Sequence, residues 1–96
     1  MDYQVTTVSL ADRVKSLIKK DSAYGVAKIL GLNIQTVINW YKRGTVMEDA
    51  TGIQVAELLK MDPQSVLLWL QVERAEKKGN AILSRHWRDI AQQQAA

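Results

Sequence analysis

Most of this chain consists of short stretches in which apolar residues recur with the period of an α-helix, separated by glycine or asparagine. Alternation of β-branched residues, the pattern of a strand, is confined to residues 5–8. The sequence therefore predicts an all-α fold whose helices bury their apolar stripes against one another. The six predicted helices cover residues 10–20, 23–30, 34–42, 48–60, 63–77 and 81–92.

The predicted helices begin and end at residues that cap helices. Ser9 followed by Asp12 resembles a capping box at the start of the first helix. Asp62 before Pro63 is a strong start signal for the fifth. Gly31 accepts the left-handed backbone that ends the second, and Asn33 is expected to cap the third.

Length and composition exclude several classes of protein. The 96 residues indicate one small domain, and the lack of cysteine excludes disulfides, thiolate metal sites and cysteine nucleophiles. The longest apolar run, residues 66–70, is far shorter than a membrane-spanning helix, and we expect a cytoplasmic protein without a secretion signal. The only histidine, His86, lacks partners for metal binding or catalysis. We therefore expect no enzyme, no cofactor and no metal.

Positive charge is concentrated in the first half of the chain. Residues 1–45 hold seven Lys or Arg and three Asp, whereas residues 46–96 hold six basic and seven acidic residues. A basic half suits a polyanionic partner, and an ordinary solvated surface explains it equally well.

A stretch in the middle of the chain has the spacing of two helices packed closely across a short turn. Ala27 is small where the helices would cross, and Gly31 tolerates the backbone of the turn. Leu32 fills the turn, while Val37 and Trp40 give the second helix an inward face. This spacing predicts a helix-turn-helix, although an ordinary helical hairpin has a similar pattern.

The opposite face of that second helix is polar. Gln35, Asn39 and Lys42 are spaced i, i+4 and i+7 and therefore share it, with Thr36 and Arg43 along one edge. Glutamine and asparagine bond adenine in the major groove, and lysine and arginine neutralise phosphates.

Residues 22–44 resemble the helix-turn-helix of the lambda-repressor/Cro-like DNA-binding family, through Ala27, Gly31, Val37, Trp40 and Gly44. With the flanking helices, the resemblance covers roughly residues 9–71. It implies a compact five-helix domain, to which this chain adds a C-terminal helix, that binds operator DNA as a dimer and regulates transcription. The whole chain is similar to small repressor-type regulators encoded by phages and prophages.

The resemblance also implies which residues contact DNA. The expected base contacts are Ile34, Gln35, Thr36 and Asn39. The expected phosphate contacts are Lys28, Asn33, Lys42 and Arg43.

Two positions depart from the family pattern. Ile34 stands where a polar residue is often found, and it either packs on a thymine methyl group or supports the fold. Gly25 lies inside the second helix, where glycine costs about 1 kcal/mol relative to alanine. It either only weakens that helix or allows a close approach to DNA or to the third helix.

Regions on both sides of the predicted domain, residues 9–71, complete the chain. Residues 1–8 form an N-terminal arm that reaches DNA or a partner, or is only a partly ordered terminus. Residues 72–96 form a helical extension that folds back over the fifth helix or docks on a second subunit. We expect a homodimer with an interface formed by Leu68, Trp69, Val72, Leu83, Trp87 and Ile90.

A second class of function remains open. The helix-turn-helix then serves as a scaffold, and the apolar residues 63–92 bind another protein, as in an antitoxin or an excision or recombination accessory factor. Such a complex forms without DNA and is insensitive to salt.

Overall fold

The computed structural model describes residues 4–95, which form six α-helices and no β-strand, so the predicted all-α class is confirmed. None of these helices is both long and apolar enough to cross a membrane. The helices are α1 (Thr7–Ile18), α2 (Ala23–Leu30), α3 (Ile34–Lys42), α4 (Asp49–Leu59), α5 (Pro63–Lys77) and α6 (Ala81–Ala95).

Helix α1 begins three residues earlier than predicted, because its N-cap is Thr6 rather than Ser9. Thr6 Oγ1 accepts a hydrogen bond from Ser9 N at 3.2 Å, and Ser9 Oγ accepts one from Thr6 N at 2.8 Å. The two residues thereby form the capping box by themselves. The predicted capping box with Asp12 is wrong.

The predicted N-terminal arm, residues 1–8, joins the fold where the structure describes it. Residues 1–3 lie outside the described range. Gln4 donates a hydrogen bond to a carboxylate of α5, Val5 is only 4% exposed, and Thr7 is fully buried in the first turn of α1. The described part of the arm is therefore not free to reach a partner.

The turn between α2 and α3 has the caps that the sequence predicts. Gly31 adopts a left-handed backbone with φ of 67°, and Leu32 N donates to Ala27 O at 2.9 Å. Asn33 caps α3, because its Oδ1 accepts a hydrogen bond from Gln35 N at 2.8 Å. The turn is therefore short and held by its own hydrogen bonds, and it sets the direction of α3.

Helix α5 packs against α4 on one side and α6 on the other. Its residues Trp69 and Val72 are 4% and 0% exposed, so they belong to the core of a single chain. Their expected place in a dimer interface is wrong, because their own chain already covers them. Helix α6 folds back on the same chain: Ala91 is buried in the same core, and Trp87 packs against it.

Two glycines within helices allow side chains of neighbouring segments to pack closely against the helix backbone. A Cβ atom at the buried Gly52 of α4 would lie 2.6 Å from Leu70 Cδ1 on α5. A Cβ atom at Gly25 would meet Ile18 at 3.2 Å and Lys20 at 3.3 Å. The close approach at Gly25 is therefore toward the end of α1 and the residues that follow it.

The segment between α3 and α4 is held by hydrogen bonds from α1 and α5 at the fully buried Met47. Thr7 Oγ1 accepts a hydrogen bond from Met47 N at 3.0 Å, while Thr7 N and Oγ1 both donate to Glu73 Oε1 at 2.8 Å. Arg74 donates to Met47 O and to Asp49 Oδ1, each at 2.7 Å. We call Thr7, Met47, Glu73 and Arg74 the Met47 junction.

We expect Glu73→Ala to lower the free energy of unfolding by about 2–4 kcal/mol, because both donors of Thr7 then stay buried without an acceptor. Glu73→Gln should recover part of this loss, since the amide oxygen also accepts. Urea unfolding measures both variants. The matched control is Glu57→Ala, at an exposed carboxylate that makes no side-chain hydrogen bond within residues 4–95, with an expected change of less than about 0.5 kcal/mol. Equal losses at both positions would contradict this role of Glu73.

Candidate nucleic-acid interface

Helix α3 is anchored to the core by one apolar face. Val37 and Trp40 are 0% and 2% exposed, as the helix-turn-helix spacing predicts. They lie three residues apart and therefore point to the same side of the helix. The opposite side of α3 does not face the core.

The edge of this apolar side contacts α1 through Tyr41, which lies four residues after Val37. Its hydroxyl donates a hydrogen bond to Asp12 Oδ1 at 2.7 Å, and Lys15 Nζ lies 4.1 Å from the centre of the ring. Lys15 Nζ also lies 3.5 Å from Asp21 Oδ1. Partial burial raises the pKa of Tyr41, and the hydrogen bond to Asp12 and the negative charges of Asp12 and Asp21 raise it further.

The opposite face of α3 points to solvent and carries a hydrogen-bonded pair of amides. Gln35 Nε2 donates a hydrogen bond to Asn39 Oδ1 at 2.9 Å, across one helical turn. Within residues 4–95, no further side-chain hydrogen bond involves Gln35 Oε1 or Asn39 Nδ2, so the first can still accept and the second can still donate. The pair therefore presents an acceptor and a donor side by side, with both side chains already oriented.

Shallow depressions lie on both sides of this face. One, of about 290 Å³, is lined in part by Thr36, Asn39 and Glu48. The other, also of about 290 Å³, lies between α2 and α3 and is lined by Tyr24, Ala27, Lys28, Leu32 and Ile34.

Sequence reasoning missed Tyr24, which is 63% exposed on the same surface. The available signal was its position four residues before Lys28, which puts the two residues on the same side of α2. Ile34 is 42% exposed, so its side chain is free for an apolar contact and does not serve mainly to support the fold.

All eight expected DNA-contacting residues lie at least partly at the surface of α2, the turn, α3 or its C-cap. Asn39 is half-buried and the other seven are exposed. Lys28, Lys42 and Arg43 take part in none of the ion pairs within residues 4–95, so no acidic side chain neutralises them there. The arrangement combines uncompensated positive charge with oriented hydrogen-bonding groups.

A separate exposed surface lies on α6. Leu83 and Ile90, two of the expected dimer residues, are 43% and 45% exposed, and Ile82 beside them is 68% exposed. Leu68 and Trp87 are only partly exposed, because they pack against the core.

Among the described residues, no three His, Asp or Glu side chains are grouped so that they would hold a metal ion. Comparison of the chain with protein-family models, with curated proteins and with solved structures found no match. The function is therefore inferred from the residues themselves.

We expect the stabilising effect of Tyr41 to be lost in alkali. Its pKa is raised in the folded state, so the folded protein holds the phenolic proton more tightly than the unfolded chain, whose tyrosines ionise near pH 10. The difference in free energy of unfolding between the wild type and Tyr41→Phe should stay constant below about pH 9 and shrink above about pH 10. Urea unfolding over this pH range measures it.

The control is Tyr24→Phe, at an exposed tyrosine that makes no side-chain hydrogen bond in the described part of the chain. The Tyr41→Phe difference should change with pH more than the difference measured at this position. A Tyr41→Phe difference that stays constant to high pH would contradict the role of the bond to Asp12.

Proposed function

We propose that the chain is a sequence-specific DNA-binding regulator of transcription, of the lambda-repressor/Cro-like kind, that places α3 in the major groove. The observation that carries this proposal is the exposed Gln35–Asn39 pair. A solvated surface needs no such pair, whereas base recognition needs oriented donors and acceptors.

The chemistry of the pair suits adenine. Adenine presents N7 as an acceptor and its N6 amino group as a donor in the major groove. Asn39 Nδ2 is free to donate to N7, and Gln35 Oε1 is free to accept from N6. Because the two side chains already hold each other, less conformational entropy is lost when they bind.

Neighbouring residues supply the remaining contacts of such a complex. Lys28 lies on α2, the helix that crosses the DNA backbone in this geometry, and Lys42 and Arg43 lie at the end of α3. These three cations are suited to phosphates. Ile34 and Thr36, at the start of α3, are suited to thymine methyl groups.

A dimer would complete the recognition of an operator. Two copies of α3 related by a two-fold axis read half-sites about 34 Å apart on one face of the duplex. The repressor-type role and the phage or prophage setting rest on the sequence resemblance alone.

A second candidate function is a protein-interaction module, for example an antitoxin or a recombination accessory factor. The observation that favours it is the exposed apolar surface of α6, formed by Ile82, Leu83 and Ile90. A complex with a different protein that forms without DNA and is insensitive to salt would support it.

We expect Asn39→Ala to weaken binding to a DNA duplex selected from a random-sequence library by about 1–3 kcal/mol and to relax base preference at one position. The physical reason is the loss of a donor to a base edge. Titration by fluorescence anisotropy measures the affinity, and selection with the variant measures the preference. The matched control is Gln93→Ala, which removes an exposed amide on α6 and should bind as the wild type does. Unchanged affinity and preference in Asn39→Ala would refute the assignment.

We expect Lys42→Ala to weaken binding to all sequences alike and to lower the slope of log affinity against log salt by about one. Such a variant loses one phosphate contact and therefore releases fewer counterions. Lys60→Gly is the control, because it removes an exposed lysine at the far end of α4, and glycine accepts its left-handed backbone of φ 59°. If both variants change the slope equally, the effect is one of net charge and not of a contact by Lys42.

A further inference from the structure

Helix α6 has an outward apolar stripe that nothing in the described chain covers. Ile82 is 68% exposed, Leu83 43% and Ile90 45%, and the exposed His86 lies between them on the same side. Ser84 and Ala91 are buried and occupy the opposite side of the helix. We call Ile82, Leu83, His86 and Ile90 the α6 stripe.

Two opposite charges lie along one edge of the α6 stripe. Arg85 and Asp89 are exposed, and neither takes part in an ion pair within the described residues. Arg88, in contrast, is paired with Glu76 of α5 at 2.9 Å and helps to hold α6 on its own chain. The edge therefore presents one free positive and one free negative charge a single helical turn apart.

We propose that the α6 stripe pairs with the α6 stripe of a second copy of this chain, antiparallel, across a two-fold axis near His86. Ile82 and Ile90 each lie four residues from His86, on either side of it. An antiparallel arrangement centred there sets Ile82 of one copy against Ile90 of the other, twice. The two His86 side chains face each other at the axis.

Charge complementarity identifies the occupant as a second copy. A two-fold axis perpendicular to the helices brings the same edge of both stripes together. Arg85 of one copy then lies beside Asp89 of the other, and the contact occurs twice. Along the helix axis, Arg85 of one copy and Asp89 of the other are displaced from each other by about 3 Å, a distance that the two side chains can span. The stripe is thus complementary to itself in both apolar contacts and charge.

This pairing would supply the dimer that the proposed function uses, but it rests on α6 alone. Its test contains no DNA, so its failure and the failure of DNA binding are distinguishable. Self-association without DNA binding would leave the dimer and refute the regulator. DNA binding by a strict monomer would refute the dimer and leave the regulator.

The decisive experiment exchanges the charges one at a time. Arg85→Glu places a second carboxylate beside Asp89 of the other copy, and Asp89→Arg places two guanidinium groups together. Each variant should therefore self-associate at least about ten-fold more weakly than the wild type. An equimolar mixture of the two variants restores opposite charges across the interface and should form a heterodimer. Sedimentation equilibrium measures the wild type, each variant and the mixture.

Recovery on mixing also excludes misfolding as the cause of the loss. A wild-type chain that remains monomeric at millimolar concentration overturns the proposal. So does a mixture that associates no better than the separate variants, because the predicted register then does not exist.

A second measurement uses the absence of cysteine from the chain. His86→Cys should form a disulfide-linked dimer on oxidation with diamide, because the axis sets the two thiols opposite each other. Ser16→Cys, an exposed position on α1, is the control and should remain uncrosslinked. Equal crosslinking at both positions overturns the placement of the axis.

The apolar contribution is tested with Ile82→Glu, which should weaken self-association at least as strongly as either charge variant. Leu17→Glu is its control, because Leu17 is 50% exposed on α1 and lies outside the α6 stripe. Circular dichroism confirms that both variants are folded. An equal loss in the control would show that another surface makes the dimer.

Discussion

A buried carboxylate connects parts of the chain that are far apart in sequence. Glu73 accepts both donors of Thr7, 66 residues away, and the hydroxyl of Thr7 accepts the backbone N–H of Met47. A buried polar group of this kind is tolerated only when its hydrogen bonds are made. The segment that leaves α3 therefore cannot move without breaking bonds at α1 and α5. These buried hydrogen bonds give the exposed face of α3 a rigid support, which is what the proposed recognition of bases would require.

The exposed surfaces of α3 and α6 suit ligands of different chemistry. On α3, the amide pair and the uncompensated cations Lys28, Lys42 and Arg43 suit a polar, highly charged ligand. On α6, Ile82 and its neighbours suit an apolar partner, with charge setting only the register. Because the surfaces lie on different helices, the DNA contact proposed for α3 and the pairing proposed for α6 do not compete for the same residues.

The sequence predicts those features of the fold that depend on residues close together in the chain. The cap at Asn33 and the left-handed Gly31 involve bonds across no more than five residues, and both were predicted. The start of α1 was not predicted correctly, because Thr6 and Ser9 are both acceptable N-caps by sequence. The burial of Thr7 against Glu73 favours the earlier start, and that contact is invisible in a local pattern.

The sequence by itself determined that α3 has an apolar side at Val37 and Trp40 and a polar side at Gln35 and Asn39, because helical periodicity is a property of neighbouring residues. Only the tertiary structure decided which apolar residues of α5 and α6 are inside. Both helices are rich in large apolar side chains, and burial depends on which face another helix covers. Packing places Trp69 and Val72 in the core and leaves the α6 stripe outside. The reason is that burial is settled by contacts between residues distant in sequence, which no local period specifies.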